Sequence, residues 1–229
     1  MNDLLNQISI CIERGKVSAQ SPHPADMKGL AGAIELTKEA LNNKIPAKDI
    51  LDNGLLKGMQ RVGEKFRDGK IFIPEVLISA KAMNSAMELL KPYFLSGEIN
   101  LKGKVILGTV TGDLHDIGKN ILRMVLEGGG WQVIDLGVNV NADKFINSIK
   151  EHNAKIIGLS ALLTTTMQNM EAIVKSIKVI FDDVVIVVGG APLNREFADK
   201  ISADAYFPAP QGMLDYIDNL FNNSNHSYE

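Results

Sequence analysis

The second half of the chain alternates short apolar runs with helical segments, and this pattern restricts the possible folds more than any other feature of the sequence. From Lys104 onward, five apolar runs are typical of β-strands. They lie at residues 105–110, 132–136, 156–160, 184–188 and 205–207. Five βα units in succession predict a parallel, doubly wound sheet of the Rossmann or flavodoxin type. Ligands of such sheets bind beyond the carboxyl ends of the strands, so the residues that follow each strand are the candidates for a site.

The first half of the chain shows apolar residues at helical spacing instead. Four amphipathic helices are predicted, at residues 1–15, 27–43, 46–66 and from Pro74 onward. Helices joined by short turns predict a four-helix bundle. Pro92 and then Ser96-Gly97 are predicted to end this pattern. We therefore predict a helical domain over residues 1–95, a linker over residues 96–102 and an α/β domain over residues 103–229.

Composition argues against several classes of function. A net charge of −3 and a pI near 5.8 give no general reason to expect nucleic acid or an anionic membrane as a partner. The single cysteine, Cys11, cannot form an internal disulfide, and it lies in an apolar helical run that predicts a core position. The sequence shows neither a signal peptide nor an apolar run long enough to span a membrane, so we expect a cytoplasmic protein.

The loop after the first predicted strand reads TGDLHDIG, from Thr111 to Gly118. It has neither the glycine spacing of a dinucleotide-binding turn nor the Gly-Lys pair of a phosphate-binding loop. It offers instead a histidine, His115, with Asp113 two residues before it. A neutral imidazole is a good ligand for a transition metal, and a nearby carboxylate can accept its other N–H. Asp-x-His alone leaves a merely solvated histidine as the alternative.

The loops after the third and fourth predicted strands are also unusual. Ser160 and the run Thr164–Thr166 place four hydroxyls in seven residues, of which one threonine is expected to cap the following helix. Gly189-Gly190 follows the fourth strand. This pair is consistent with a tight turn, or with a strand end that leaves room for a flat ligand.

The spacing of the three loops decides between these interpretations. The order is D-x-H-x-x-G, then 41 residues, S-x-L, then 26 residues and G-G. This arrangement resembles the signature of the cobalamin-binding domain. Its positions are filled by Asp113, His115, Gly118, Ser160, Leu162, Gly189 and Gly190. The first half resembles the helical cap of methionine synthase and of the corrinoid proteins of methanol, methylamine and aryl-ether methyltransferases. The matching residues are Gly58-Met59, 62–66, 69–76, Ser79-Ala80 and Met83.

The resemblance implies a cobalamin or related corrinoid bound base-off/His-on, with His115 as the cobalt ligand. It implies a proton relay through Asp113 and Thr166, where methionine synthase has serine. The residues implied to contact the corrinoid in the α/β domain are Asp113, His115, Asp116, Ile117, Gly118, Ser160, Leu162, Thr164, Gly189 and Gly190. Phe66, Ile73 and Val76 match the apolar residues that cover the upper, methyl-bearing face, the alternative being a place in the bundle core.

The function implied is that of a carrier that passes a methyl group between other proteins, without a complete catalytic cycle of its own. The implied partners are a substrate:corrinoid methyltransferase, a second methyltransferase acting on tetrahydrofolate or coenzyme M, and a reductive activating protein. We expect an O-demethylase or similar system, and no nucleic acid or membrane partner.

Three other functions stay open at this point. The small subunit of an adenosylcobalamin mutase shares D-x-H-x-x-G but lacks the helical cap. A cobalamin-dependent regulator needs a DNA-binding module, whereas no winged helix is readable in residues 1–95, which carry 13 basic and 11 acidic residues. A phosphoacceptor receiver domain needs an aspartate after the third strand, where this chain has Ser160.

Overall fold

A computed structural model describes residues 2–99 and 101–225 of the chain. Residue 1 of the first predicted helix, residue 100 of the predicted linker and residues 226–229 of the predicted α/β domain lie outside the described residues. The chain divides into a helical unit, Met1–Leu101 with Glu127–Gly130, and an α/β unit, Lys102–Leu126 with Trp131–Glu229. Across the described residues, no helix combines the length and apolar content that a membrane span requires.

The helical unit contains the four helices that the sequence predicts. Its elements are α1 (Asn2–Glu13), a 3₁₀ turn (Ala25–Met27), α2 (Ala33–Asn42), α3 (Ala47–Asp49), a π-helical segment (Ile50–Leu56), α4 (Lys57–Arg67) and α5 (Ile73–Leu95). The π-helical segment joins α3 to α4 without a break, so these three elements form the third predicted helix.

Two boundaries of the helical unit differ from the prediction. Helix α2 begins at Ala33 and not at residue 27, because the Glu35 carboxylate accepts the backbone N–H of Gly32 at 2.9 Å and so caps the helix there. Helix α5 continues through Pro92 to Leu95, so the prediction that Pro92 ends the helical pattern is wrong. Proline costs the helix the hydrogen bond to the carbonyl of Glu88, one turn earlier, but does not end it here. The turn at Gly97, with a φ of +78°, comes after the last helical residue.

Close packing of α1 against the third helix depends on glycine. A Cβ atom at Gly58 would lie 2.6 Å from Cβ of Ile12 and 2.7 Å from the carbonyl oxygen of Ser9. A Cβ atom at Gly54, one turn earlier, would lie 3.0 Å from Cγ2 of Ile8. The backbones of α1 and of the π–α4 region can therefore approach more closely than two helices with larger side chains at the contact would allow.

The α/β unit is built on a five-stranded parallel sheet with the order β2-β1-β3-β4-β5, which confirms the predicted fold class. The strands are β1 (Lys104–Thr109), β2 (Gln132–Asp135), β3 (Ile156–Ser160), β4 (Val185–Gly189) and β5 (Ala205–Tyr206). The helices are α6 (Ile117–Gly128), α7 (Ala142–His152), α8 (Thr164–Ile180), α9 (Arg195–Lys200) and α10 (Pro210–Asn225). Every strand lies within one residue of its predicted bounds.

Each face of the sheet has its own apolar core. Ile106 of β1 packs with the buried faces of α7, α8 and α9, for example with Phe145 and Ile173. Val105 and Leu107 point to the other face, where α6 and α10 contribute residues such as Leu126 and Ile217. The sheet is therefore covered on both sides, as parallel sheets require.

The strand register brings the three candidate loops to one level. Thr109 pairs with Ser160, and Ser160 pairs with Gly189, so the last residues of β1, β3 and β4 form one row across the sheet. The connection from β1 leads to β2 on one side, whereas β3 lies on the other side. The gap between β1 and β3 is thus the topological switch point, where doubly wound sheets bind ligands.

Candidate functional site

The Asp113 carboxylate lies at the centre of the site and is fully buried. Its Oδ1 atom accepts a hydrogen bond from Nδ1 of His115 at 2.7 Å and from the backbone N–H of His115 at 3.0 Å. Its Oδ2 atom accepts from the Thr166 hydroxyl at 2.6 Å and from the backbone N–H of Leu162 at 2.7 Å. The structure therefore joins the loops after β1 and β3 through one carboxylate, and it brings together Asp113, His115 and Thr166.

The hydrogen bonds to Asp113 keep its carboxylate ionised. Burial on its own would raise the pKa of this carboxyl group. The donors from Thr166, Leu162 and His115 outweigh burial, and they hold the pKa of Asp113 far below its usual range. A permanently ionised carboxylate accepts but does not donate, so the hydrogen between it and His115 belongs to Nδ1 of the imidazole.

The His115 side chain presents its second nitrogen to the outside. Because Nδ1 carries the hydrogen, Nε2 keeps its lone pair and is the atom that can ligate a metal. The side chain is 49% exposed, so a ligand can reach it. The backbone carbonyl of His115 accepts the hydroxyl of the buried Thr109 at 3.0 Å, which fixes the loop from within β1.

The start of α8 is capped by Asp113 and not by one of its own threonines. Helix α8 begins at Thr164, and Leu163 precedes it without a side-chain cap. Oδ2 of Asp113 receives the N–H groups of Leu162 and, at 3.4 Å, of Leu163. The expectation that a threonine caps this helix is wrong, because a carboxylate from the loop after β1 accepts the N–H groups at its start and suits the positive end of the helix dipole.

Apolar side chains flank the imidazole on both loops. Ile117 and Leu162, both predicted contact residues, are 75% and 43% exposed. Leu114, 71% exposed, and Leu163, 42% exposed, belong to the same loops and were not predicted. The signal in the sequence was, for Leu114, its position next to His115 and, for Leu163, its position next to Leu162. Exposed apolar groups around a potential ligand atom are typical of a binding surface.

The remaining predicted residues of the α/β unit lie at the same edge of the sheet. Asp116 is exposed, and its Oδ2 atom accepts from the Asn120 side chain at 3.0 Å. At Gly118, the position of a Cβ atom is open space. Ser160 is the half-buried last residue of β3, and Thr164 is exposed in the first turn of α8.

The two glycines after β4 differ in what they require. At Gly190, φ is +141°, and a Cβ atom would lie 1.8 Å from the carbonyl oxygen of Ala161. Only glycine fits that backbone and that contact. At Gly189, a Cβ atom would meet nothing closer than the carbonyl oxygen of Phe207, at 3.5 Å. Glycine is thus required at position 190 for packing of the strand end, whereas a small side chain could be accommodated at Gly189. The prediction that both wall a ligand slot stays a prediction.

The three predicted residues of the helical unit differ in exposure. Val76 is 3% exposed, Phe66 is half-buried and Ile73 is 44% exposed. Phe72, next to Ile73, was not predicted as a site residue and is 67% exposed. The assignment of Phe66, Ile73 and Val76 to the upper face of the corrinoid stays a prediction.

Two asparagines that the sequence analysis did not select support the loop of Asp113. Asn139, with a φ of +54°, accepts the N–H of Gly112 through Oδ1 at 2.8 Å. Its own backbone N–H donates to the carbonyl of Asp113 at 3.0 Å. Asn169 of α8 donates from Nδ2 to the carbonyl of Thr111 at 2.7 Å. Such contacts between distant residues leave no local pattern in a sequence.

Known protein families are similar to both halves of the chain. Two B12 binding domain profiles match the chain, one over residues 103–210 and the other over residues 30–91. Trimethylamine corrinoid protein 1 of Methanosarcina acetivorans is 43% identical over 178 residues, which make up 76% of this chain and 82% of the relative. Dimethylamine corrinoid protein 1 of the same organism is 38% identical, over 79% of this chain and 90% of the relative.

Solved structures are similar over nearly the whole chain. The methanol:cobalamin methyltransferase complex MtaBC of Methanosarcina barkeri matches with a TM-score of 0.82 and 26% identity, over 96% of this chain and 80% of that one. A cobalamin-binding protein of Desulfitobacterium hafniense matches with a TM-score of 0.71 and 27% identity, over 94% of this chain and 97% of that one.

Proposed function

The chain belongs to the family of B12-binding corrinoid proteins, and we propose that it carries methyl groups between separate methyltransferases. One observation supports the proposal above the others. His115 offers Nε2 at the open switch point of the sheet, while a buried, ionised Asp113 holds its Nδ1–H at 2.7 Å. This is the arrangement that an axial metal ligand needs, because the second partner fixes both the tautomer and the ring.

The residues at the carboxyl edge fit a corrinoid. A flat macrocycle of mixed polarity needs an apolar surface beside the ligand atom, which Leu114, Ile117 and Leu162 offer. It also needs close access to the backbone, which the open position at Gly118 provides. We infer base-off/His-on binding, in which His115 would hold the cobalt and Ser160, Thr164, Gly189 and Gly190 would contact the displaced tail.

When it is bound, the corrinoid supplies a cobalt atom that can accept a methyl group from one donor and give it to another acceptor. The residues of the chain set the state of the axial imidazole. Nε2 of His115 would hold either the cobalt or a proton from solvent. The Asp113 carboxylate would balance the charge of the protonated imidazole, and the Thr166 hydroxyl donates to that carboxylate at 2.6 Å. We propose that this relay couples ligation to the redox state.

A carrier of this kind depends on other proteins for substrate recognition. We propose a substrate:corrinoid methyltransferase, a second methyltransferase acting on tetrahydrofolate or coenzyme M, and a reductive activating protein as the partners. The O-demethylase system expected from the sequence stays a prediction. The relatives named above handle trimethylamine and dimethylamine, so methylated amines are donors to be tested beside aryl methyl ethers and methanol.

The decisive experiment identifies the axial nitrogen. The protein is produced with ¹⁵N-labelled histidine and loaded with unlabelled cobalamin, and the EPR spectrum of the cobalt(II) form is recorded. Ligation by His115 gives a doublet splitting from ¹⁵N, whereas ligation by the cofactor's own base gives the triplet of ¹⁴N. The triplet would contradict the proposed binding mode.

Two variants complete the test. His115→Ala should lose the nitrogen splitting from the protein, while His152→Ala, which changes a histidine at the end of α7, should keep it. Methylation of the bound corrinoid by a donor and a matching methyltransferase, with transfer to an acceptor, supports the carrier. Failure of the wild-type protein to bind any corrinoid would contradict the whole proposal, and carbon-skeleton rearrangement with an adenosylcobalamin partner would favour the mutase subunit.

A further inference from the structure

We propose that Lys119 and Asp135 are positioning residues for His115, which hold the ligand loop through contacts that do not involve Asp113. This inference deepens the proposed function and rests on it. Neither residue was selected in the sequence analysis, and the relay of Asp113 and Thr166 does not use them.

Lys119 and Asp135 form a buried ion pair beside the site. The Lys119 side chain, in the first turn of α6, is 3% exposed, and the Asp135 side chain, at the end of β2, is 17% exposed. Nζ of Lys119 lies 2.7 Å and 2.6 Å from the two carboxylate oxygens of Asp135. Arg123 also donates to Oδ2 of Asp135, at 3.4 Å, so Lys119 is the closer of two cations beside this carboxylate. Loss of Lys119 leaves the carboxylate with the more distant and more exposed partner, which weakens the geometry of the site.

A continuous chain of hydrogen bonds leads from this pair back to His115. Oδ1 of Asp135 accepts the N–H of Gly137 at 2.9 Å, and the carbonyl of Gly137 accepts the N–H of Thr109 at 3.0 Å. The Thr109 hydroxyl then donates to the carbonyl of His115 at 3.0 Å. Lys119 itself lies four residues after His115, so these contacts close a ring around the start of α6.

A second branch reaches the residue next to His115. Nζ of Lys119 also donates to Oδ1 of Asn120 at 2.8 Å. Nδ2 of Asn120 donates to Oδ2 of Asp116 at 3.0 Å, and its backbone N–H donates to the carbonyl of Asp116 at 2.8 Å. The ion pair thus fixes both the carbonyl of His115 and the following residue, while Asp113 fixes the ring. Ligand orientation depends on the backbone as well as on the ring partner.

The test compares two lysine–aspartate pairs of the same unit. Lys119→Met removes the charge of the pair at the carboxyl edge and keeps an unbranched side chain. Lys102→Met is the control for loss of a lysine–aspartate pair: Lys102, just before β1 and 33% exposed, binds both carboxylate oxygens of Asp218 at 2.9 Å at the opposite edge of the sheet. Each variant is measured for cobalamin affinity, for the ¹⁵N-histidine splitting of the cobalt(II) form, and for hydrogen exchange of the His115 amide without cofactor.

We expect Lys119→Met to bind cobalamin about 10- to 100-fold more weakly, to lose much of the histidine splitting and to exchange the His115 amide faster. Lys119→Arg keeps the charge and should restore the splitting. If Lys119→Met does not fold, Asp135→Asn replaces it, since the amide oxygen can still accept the N–H of Gly137.

Unchanged splitting and unchanged exchange in the Lys119 or Asp135 variant would overturn the inference. Equal effects of Lys102→Met would also overturn it, because the cause would then be general destabilisation. If the wild-type protein lacks the histidine splitting, the proposed function fails instead, and the exchange of the His115 amide in the cofactor-free protein still decides whether the pair positions the loop.

Discussion

Replacement of Asp113 by asparagine tests the central claim about the site, because the side chain keeps its shape and loses one acceptor and its charge. The structure offers no place for the amide NH₂ group. In the position of Oδ2 it would face the N–H of Leu162, which lies 2.7 Å away. In the position of Oδ1 it would face the N–H of His115, at 3.0 Å, and the ring nitrogen Nδ1.

The magnitude follows from these contacts. In either orientation one buried backbone N–H loses its acceptor, which costs about 1–3 kcal/mol. The remaining hydrogen bonds go to a neutral oxygen and weaken by about 1 kcal/mol in total, since charged acceptors bind roughly twice as strongly. We therefore expect Asp113→Asn to destabilise the α/β unit by about 2–4 kcal/mol. In the second orientation the imidazole must also accept at Nδ1, which moves its hydrogen to Nε2 and removes the ligating lone pair.

The assay is urea unfolding of the cofactor-free protein, followed by fluorescence of Trp131. This is the single tryptophan of the chain, and it is buried in the α/β unit. Asp116→Asn is the control: its carboxylate is exposed and accepts one side-chain hydrogen bond that we describe, so a change below about 0.5 kcal/mol is expected. A loss of less than 0.5 kcal/mol in Asp113→Asn would refute the reasoning.

The pH dependence of the stability difference between the wild type and Asp113→Asn gives an independent check. The pKa of Asp113 is lowered in the folded protein, mainly by hydrogen bonds that outweigh the effect of burial. A lowered pKa means that the carboxylate stabilises the fold fully above its ordinary pKa and stops doing so as the pH falls through the folded-state value. The stability difference between the wild type and Asp113→Asn should shrink as the pH falls below about 4.

Three further predictions concern other positions. Gly190→Ala should lower the free energy of unfolding in urea by about 3 kcal/mol or more, because of the positive φ of Gly190 and its contact with Ala161. Gly189→Ala should fold normally. Weaker cobalamin binding by Gly189→Ala would support the predicted slot, and unchanged binding would contradict it. Thr166→Val should lower the free energy of unfolding by about 1–2 kcal/mol, because the donor to Asp113 is lost. Thr166→Ser keeps the hydroxyl and should lower it less. Equal losses of stability in the two variants would show that the hydroxyl is not the cause. Burial raises the pKa of the Cys11 thiol to about 11, so at pH 8 only about one thiol in a thousand is ionised. Iodoacetamide should therefore react slowly with the native protein at pH 8 and faster as the pH rises from 9 through 11, where the stability that the neutral thiol contributes is also lost. Rapid alkylation at pH 8 would contradict the buried position.

The sheet and the centre of the site could be predicted because their signals are local. Each strand is a short apolar run, and Asp113 and His115 stand two residues apart in one loop. Thr166 is 53 residues from Asp113, and its place beside the carboxylate was accessible only through the resemblance to other corrinoid proteins.

The features that could not be predicted depend on contacts between distant residues. The cap of α8 comes from Asp113 on another loop, so the threonines at the helix start pointed to the wrong acceptor. Asn139 and the Lys119–Asp135 pair act across strands and helices. Whether a helix continues past a proline, as α5 does at Pro92, is not decided by periodicity.

The double task of Asp113, as partner of His115 and as cap of α8, restricts how proteins of this kind can diverge. A change at this position would alter the electronic state of the imidazole and remove the acceptor at the start of a 17-residue helix at once. The hydroxyl of Thr166 is a gentler place to adjust the site, because serine and threonine both provide it and differ only in the methyl group beside it.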